Sequence, residues 1–410
     1  MAGLAVTFML GRFYGASVTG QYALLMQTSV FLAALGLFGL DLSLVRHLSR
    51  SQSSMTTISR ALATRVFAIV AASITTLALV LWVGGTSLWT ALFGDDIGVG
   101  LAAPFCVLLI LRAIVQVVSA FLRCQHRYML GITISIVLIP GFVAIAIATG
   151  LAASVYSALI AALLGATLAL IVGLALLAPN VSAKPDAIGV TMRTLIGSSL
   201  PLWGASFSLI LADWYVLAVI GRTLGSQEVG IYRVAMQFAS IPMVVSSTIS
   251  SVYTPRISSA FHDHDLDGVA RLARTSVLIT LILTAPLVIV LVAAGQPILA
   301  LVGPEFVSAF PVLLILVIGQ FVFAFTGASG TVLAMSGNER MNLFISIGGT
   351  LSLLAAIPVM ASHWGIVGAA AGFSAIVIMR NIVAYFLVIR IIGINIWTGK
   401  SQTGSVNISA

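Results

Sequence analysis

Continuous apolar runs of about 20 residues recur along the whole chain, and they narrow the folds open to it. In lipid, every backbone polar group must be satisfied within its own helix or around a closed barrel. The runs do not alternate in polarity, which excludes barrel strands and leaves helices. Twelve are readable: about Ala2–Leu10, Tyr22–Val45, Ala61–Val83, Leu101–Leu122, Ile132–Thr149, Ala153–Leu177, Leu195–Ile220, Ile231–Tyr253, Ser276–Ala294, Phe306–Ala328, Leu343–Ala361 and Val367–Ile391. Composition agrees: 60% of residues are hydrophobic and 7% charged, against roughly 25% charged in a soluble domain. Mean hydropathy is +1.16. The expected fold class is an all-α polytopic membrane protein of about 12 transmembrane helices. The first run is the exception. Nine residues span about 14 Å as a helix, half a bilayer, so the first helix reads as short or truncated, with its start upstream. It has no basic n-region and no small-residue cleavage site, so no cleavable signal peptide is expected.

The second constraint is a repeat. Gly11-Arg12-Phe13-Tyr14-Gly15-Ala16-Ser17-Val18-Thr19-Gly20-Gln21-Tyr22, running on to Met26-Gln27, returns as Gly221-Arg222-Thr223-Leu224-Gly225-Ser226-Gln227-Glu228-Val229-Gly230-Ile231-Tyr232, running on to Met236-Gln237. The offset is 210, and seven of 17 positions are identical; average composition gives about one by chance. Arg46 and Arg256 keep the same offset. The chain reads as one module used twice. The predicted organisation is a six-helix bundle over 1–178, a cytoplasmic linker over 179–194, a second bundle over 195–392 and a cytoplasmic tail over 393–410. The repeated glycines read as a tight hairpin turn between paired helices, with the tyrosine at the membrane interface.

Charge gives the orientation. The net charge is +8, and all but two of the 19 basic residues are arginine. With the N-terminus inside, 14 basic residues fall in the inner connections and tail, including Arg50, Lys184 and Arg340. Three, Arg12, Arg222 and Arg233, fall outside, and Arg112 and Arg380 lie within helices. This is the positive-inside pattern, not a nucleic-acid footprint, and it places both termini in the cytoplasm. Six helices per half make the repeats parallel, which favours a substrate path at their interface. Cys106 and Cys124, 18 residues apart, lie about 27 Å apart on one helix, too far for a disulfide.

Several stretches together resemble bacterial polysaccharide exporters and O-antigen flippases. Gly11–Tyr22 is similar to their first interhelical turn. Gly36-Leu37-Phe38-Gly39-Leu40-Asp41-Leu42-Ser43-Leu44-Val45-Arg46 is similar to the end of their second helix. Leu301-Val302-Gly303-Pro304-Glu305-Phe306, Ala309-Phe310-Pro311-Val312-Leu313 and Val332-Leu333-Ala334-Met335-Ser336-Gly337-Asn338-Glu339-Arg340 are similar to their helix 9–10 region. The resemblance implies the multidrug/oligosaccharidyl-lipid/polysaccharide exporter superfamily. Its members are two six-helix bundles around a central cavity that rock between inward- and outward-open states. The polysaccharide branch moves undecaprenyl-pyrophosphate-linked sugars across the cytoplasmic (inner) membrane. The implied partners are membrane lipid, a lipid-linked oligosaccharide and other glycan assembly proteins, with no nucleic acid.

Ionisable groups inside apolar helices are functional candidates in their own right, since each costs about 2.5–3.5 kcal/mol at a helix centre. Arg112 and Arg380 lie midway along helices four and twelve, and Asp213 lies on helix seven. Two readings stay open for the arginines: structural pairs with a neighbouring carbonyl or carboxylate, or ligands for an anionic headgroup such as a pyrophosphate. Asp213 is either a proton or cation coupling site or a partner of Arg112 or Arg380. The repeated Gln27 and Gln237 join the cavity candidates, with Arg12 and Arg222 at its rim. Asp41, Arg46 and Arg256 are candidates at the cytoplasmic mouth, Asp41 being read as a local pair with Arg46. No cofactor is expected; a coupling ion (H+ or Na+) or the membrane potential supplies the drive. His262-Asp263-His264-Asp265 has metal-like spacing, yet a solvated loop is the better reading. Asn407-Ile408-Ser409 is a sequon only by letters. No Walker loop, nucleophile elbow or zinc-protease helix is present. Competing readings are a cation-coupled multidrug antiporter, which wants more intramembrane acids, and a membrane-embedded glycan polymerase or ligase. The latter wants a large catalytic outer loop, whereas Gly84–Gly100 offers only Asp95 and Asp96 as charges.

Overall fold

The computed structural model of the chain describes residues 2–48, 58–182, 192–263, 265–326, 328–335 and 339–401. Most of the linker (183–191), the end of the tail (402–410, with the sequon), Arg50, Lys184, His264 and Ser336–Asn338 lie outside the described residues. The chain forms two compact units, Met1–Gly230 and Ile231–Ala410.

The first unit contains α1 (Ala2–Leu37), α2 (Leu40–Leu48), α3 (Arg60–Val83), α4 (Gly85–Phe93), α5 (Ala102–Cys124), α6 (Tyr128–Ile132), α7 (Leu138–Ala148), α8 (Val155–Leu177) and α9 (Met192–Leu224), and the start of α10 (Ser226–Ala239). A π turn joins α6 to α7, so residues 128–148 run as one span. Short strands β1 (Ile58–Ser59) and β2 (Val181–Ser182) pair in parallel, tying the start of α3 to the end of α8. Phe38 and Gly39 interrupt the helical path with positive φ. That break withholds the helical N–H from nearby carbonyls; the Trp203 indole donates to the Ala34 carbonyl at 2.8 Å and the Ser73 hydroxyl to the Gly36 carbonyl at 2.9 Å.

The second unit holds α11 (Ile241–His262), α12 (Leu266–Ala293), α13 (Gly295–Val302), α14 (Phe310–Thr326), α15 (Ala328–Met335) and α16 (Glu339–Leu387). α10 and α11 bend by 41° at Ser240, so the expected single segment Ile231–Tyr253 is two helices. α16 breaks at Trp364–Gly365 into two arms. The residues expected as tail carry a hairpin of β3 (Ile394–Asn395) and β4 (Lys400–Ser401). Ile394 and Ile396 bury against Val269, Ala273 and Val388, and Trp397 packs on Phe325 with ring centroids 4.1 Å apart. Asp265 is an N-cap, accepting from the Gly268 N–H at 2.7 Å and approaching Arg271 at 3.7 Å.

Among the described residues, nine helices are long and apolar enough to cross a membrane, and the bent pair makes a tenth span. Dividing α1 at Gly15 and α16 at Gly365 gives two further helical arms, so that twelve membrane segments are present, the first of them too short to span alone. The arm before Gly15 runs over residues 2–14, four residues past the expected Ala2–Leu10, and remains short as expected. The stretch Gly84–Gly100 was expected as a loop. Its centre is helical instead, because Trp89 and Phe93 bury against Phe105, and the Trp89 indole donates to the Ile97 carbonyl at 2.7 Å. α4 and α13 begin at Gly85 and Gly295, again 210 residues apart.

The repeated stretch has two jobs, and the turn is the smaller one. Gly15 (φ 82°) and Gly225 (φ 93°) each supply the single left-handed residue between two helices. Gly20 and Gly230 lie inside helices and mark a crossing. A Cβ on Gly20 would strike the Ser226 carbonyl, and a Cβ on Gly230 the Ala16 carbonyl. Ala16 and Ser226 are themselves equivalent, so the crossing is two-fold symmetric in its contacts. Residues 11–20 and 221–230 show the same order of buried, half-buried and exposed positions throughout. Tyr22 and Tyr232 are buried within the fold, at 7% and 2% exposure. Asp96 fastens the turn: its carboxylate accepts from the Ser226 N–H at 2.7 Å, capping α10, while Gln21 donates to its carbonyl at 3.3 Å.

Gly20→Leu and Gly230→Leu are each expected to destabilise the detergent-purified protein by about 1–3 kcal/mol, through overpacking. Gly141→Ala, where a Cβ meets nothing within 4 Å, is expected to leave the thermal midpoint at or above wild type. Asp96→Ala is expected to cost about 1 kcal/mol as a lost cap, with Asp95→Ala neutral in the same melt.

Candidate functional site

Arg112 is the eleventh of the 23 residues of α5 and faces the second arm of α1. It is half-buried. Its Nη1 donates to the Ser29 hydroxyl at 3.1 Å and lies 4.0 Å from the Met26 sulfur. The buried Tyr22 phenol is in electrostatic contact with it. Every one of these partners is neutral. The carboxylate partner that one sequence reading allowed is therefore not what holds this guanidinium.

One turn along α5, Gln116 donates to Asp41 Oδ2 at 3.3 Å, and Arg123 Nη2 approaches the same oxygen at 4.0 Å. Asp41 was expected to pair locally with Arg46. Instead α2 turns Asp41 toward α5 and leaves Arg46 exposed. α2 is held there by α9: Ser43 donates to the Leu195 carbonyl at 2.9 Å, and Ser198 Oγ bonds both Ser43 (2.7 Å) and His47 (2.9 Å).

Beside Arg112, α1 and α9 are joined by five aromatic rings. Phe38, Trp203, Phe207, Phe31 and Trp214 follow one another with centroid separations of 6.0, 4.4, 5.5 and 4.1 Å. Phe31 and Trp214 are parallel within 5°. The Trp214 indole also donates to Thr28 at 3.0 Å. Thr28 and Ser29, both fully buried, thus anchor the aromatic seam and Arg112 from adjacent positions on α1. Sequence reasoning missed this seam. Its signal was Phe31 and Phe38 on one run facing Trp203, Phe207 and Trp214, spaced at helical intervals, on another.

The remaining candidates are distributed as follows. Asp213 is exposed on α9, next to Trp214, and Gln27 is half-buried. Arg12 and Arg222 are exposed at matching positions before the two turn glycines. In the second unit, Gln237 is half-buried and Arg380 lies on the second arm of α16, its stem against Gly349. Arg256 is exposed, its guanidinium 5.7 Å from the centre of the Tyr253 ring. A cleft of about 390 Å³ at the Gly365 break is lined by Met360, Trp364, Val367, Gly368 and Ala371, with no charged side chain. Among the described residues, no group of three or more His, Cys, Asp or Glu side chains is placed to hold a metal ion.

Residues 9–311 match the family described as polysaccharide biosynthesis protein. The succinoglycan biosynthesis transport protein ExoT of Rhizobium meliloti (strain 1021) is 32% identical over 124 residues, 30% of this chain and 25% of that protein. This match thus spans a quarter of the relative's length. Among solved structures, an inward-facing multidrug resistance MATE family transporter of the MOP superfamily aligns with a TM-score of 0.71. The identity is 14%, over 98% of this chain and 96% of that one. The lipid II flippase MurJ, in an inward closed conformation, aligns with the same TM-score at 13% identity, over 94% and 85%. A MOP superfamily transporter from Pyrococcus furiosus aligns with a TM-score of 0.63 at 15% identity, over 94% and 90%. These likenesses show a two-repeat, twelve-helix fold, and the long apolar helices of this chain make it a multi-pass membrane protein.

Trp214→Phe preserves the stack on Phe31 and removes the bond to Thr28; it is expected to cost about 1 kcal/mol. Trp214→Ala, which also empties the seam, is expected to cost about 3 kcal/mol in the same thermal melt.

Proposed function

Because the chain belongs to the polysaccharide biosynthesis protein family, we propose that it translocates an undecaprenyl-pyrophosphate-linked oligosaccharide across the bacterial cytoplasmic membrane by alternating access. Arg112 carries the proposal. A guanidinium at a helix centre costs about 2.5–3.5 kcal/mol, and its partners here are a hydroxyl, a thioether and a phenol. Neutral partners solvate the charge without cancelling it. A diphosphate headgroup cancels it and accepts in the planar fork geometry that arginine presents. Arg380 takes the corresponding role in the second unit, and Arg12 and Arg222 attract the headgroup at the outer rim. A cation-substrate antiporter is disfavoured by the same observation, since an uncompensated arginine repels a cationic drug. ExoT, by its name a succinoglycan transport protein, and MurJ, by its name a lipid II flippase, support the choice of a lipid-linked glycan. The reading carries no catalytic step. The arginine distribution supports a cytoplasmic position for both termini, and in this reading a proton, a sodium ion or the membrane potential drives the cycle.

Deleting the gene in its host is expected to remove surface glycan while the intact lipid-linked precursor accumulates on the cytoplasmic side. Arg112→Gln is expected to reproduce that phenotype at normal protein level, with Arg112→Lys only partly active because the bidentate fork is lost. Normal export by Arg112→Gln together with Arg380→Gln would overturn the proposal. Short, unpolymerised glycan at the surface of the deletion strain points instead to a polymerase.

A further inference from the structure

Arg112 and Arg123 are 11 residues apart on α5. Eleven residues make just over three helical turns, so the two side chains share one face, about 16 Å apart along the axis. Gln116 lies between them on nearly the same face. α5 thus carries three hydrogen-bond donors in a row, two of them cationic, from its end to its centre. The second arm of α1 faces the upper arginine and α2 the lower one.

The two arginines differ in what they meet. Arg112 has only neutral partners, whereas Arg123 has Asp41, held loosely. The Nη2–Oδ2 distance is 4.0 Å, with the side chains 22% and 13% exposed. Arg123 Nη2 is buried and makes no hydrogen bond, and 4.0 Å is beyond hydrogen-bond length. The stem of Arg123 is fixed independently: its Nε donates to the Ser119 carbonyl at 3.4 Å, and a Cβ on Gly131 would lie 3.0 Å from its Cγ. Asp41 accepts from Gln116 at 3.3 Å through the same oxygen that faces Arg123. One carboxylate oxygen therefore stands in front of two donors, and one of those donors has an unused N–H. A phosphate oxygen arriving at Arg123 gains a hydrogen bond that Asp41 does not make.

We propose that Arg123 is a first station for the diphosphate headgroup and that Asp41 is the built-in anion the headgroup displaces there. Gln116 passes from Asp41 to the phosphate as the headgroup moves up α5 to Arg112. This rests on the flippase reading above and names the residues that admit its substrate. Asp41 keeps Arg123 from sitting as a bare buried charge between cycles. It also sets a threshold that a weaker anion does not pass.

The experiment is equilibrium binding by the purified full-length protein in nanodiscs, titrated in parallel with undecaprenyl pyrophosphate, undecaprenol and inorganic pyrophosphate. Asp41→Asn is expected to bind undecaprenyl pyrophosphate severalfold more tightly than wild type, with no gain for undecaprenol. Arg123→Gln is expected to bind more weakly. In the double variant the gain from Asp41→Asn is expected to vanish, since the charge it released is gone. Unchanged or weaker binding by Asp41→Asn, or a gain that survives in the double variant, overturns the proposal. So does inorganic pyrophosphate binding as tightly as the lipid. If Asp41→Asn fails to fold, Gly131→Ala, whose Cβ would crowd both the Arg123 stem and the Ser119 carbonyl that holds its Nε, serves instead and is expected to weaken binding as Arg123→Gln does. Unaltered binding by Gly131→Ala then overturns the station. Arg112→Gln separates the two claims: lost binding there with no effect at Asp41 rejects only the station, whereas normal binding by Arg112→Gln rejects the flippase reading itself.

Discussion

At Gly20 and Gly230 two helices approach so closely that neither tolerates a Cβ. Lipid offers helices no hydrophobic incentive to associate, so close packing of small residues has to supply it. Ala16 and Gly20 on one helix, and Ser226 and Gly230 on the other, have the four-residue spacing that lets two backbones touch. Much of the first unit follows from that contact. It sets the end of α9 beside α1, and the aromatic seam from Phe38 to Trp214 continues the alignment along both helices. With α9 in place, Ser198 and the Leu195 carbonyl hold α2. α2 then presents Asp41 to Arg123, and α1 presents Ser29 to Arg112. Each polar contact of the candidate site is thus made by an element whose position leads back to the crossing.

The scaffold is repeated, with charges at the helix ends, but the charges along the helices are not. The turn glycines, the crossing, the starts of α4 and α13, and the acids Asp95 and Glu305 all recur at the 210-residue offset. At the same offset Arg112 corresponds to Val322, Arg123 to Leu333, Arg380 to Leu170 and Asp213 to Gly3. Duplication supplies a geometry that serves two bundles equally. In the proposed cycle the headgroup enters at one end and has no two-fold symmetry of its own, so it does not require the row on α5 to be duplicated. Charges added to one copy only are what such a ligand asks for, and each avoided duplicate spares the bilayer another buried ion.

The parts of this architecture that were legible in the sequence are those set by local chemistry. Runs of apolar residues mark spans because length and hydropathy alone decide whether a helix can cross lipid. Gly15 and Gly225 were readable because positive φ is a local demand. Gly20 and Gly230 looked like more of the same turn, since a glycine needed for φ and a glycine needed for close approach are the same letter. α4 was read as a loop because its nine residues are too few to span, and only burial of Trp89 and Phe93 against Phe105 makes it a helix. The Asp41–Arg123 contact joins residues 82 positions apart, and the Phe31–Trp214 stack residues 183 apart. Arg46 was the nearer partner for Asp41 by sequence, but once α2 is helical the five positions that separate them turn the two side chains about 140° apart.

The deepest ambiguity concerned what an arginine in a membrane helix means. Sequence gives its depth and its cost, which are much the same for a structural arginine and a binding one. The difference lies in how the charge is met. Arg123 has a carboxylate nearby, so its charge is largely balanced within the fold, and its remaining capacity is a hydrogen bond. Arg112 is met by dipoles alone, which lower the cost of holding the ion but leave its field intact. A hydroxyl, a thioether and a phenol therefore make the site tolerable when empty and still attractive to an anion. A second carboxylate at Ser29 would neutralise the same guanidinium and close it to any anionic headgroup. In the proposed cycle, neutral solvation of Arg112 and loose pairing of Arg123 would grade the face of α5 from a station easily vacated to one that holds.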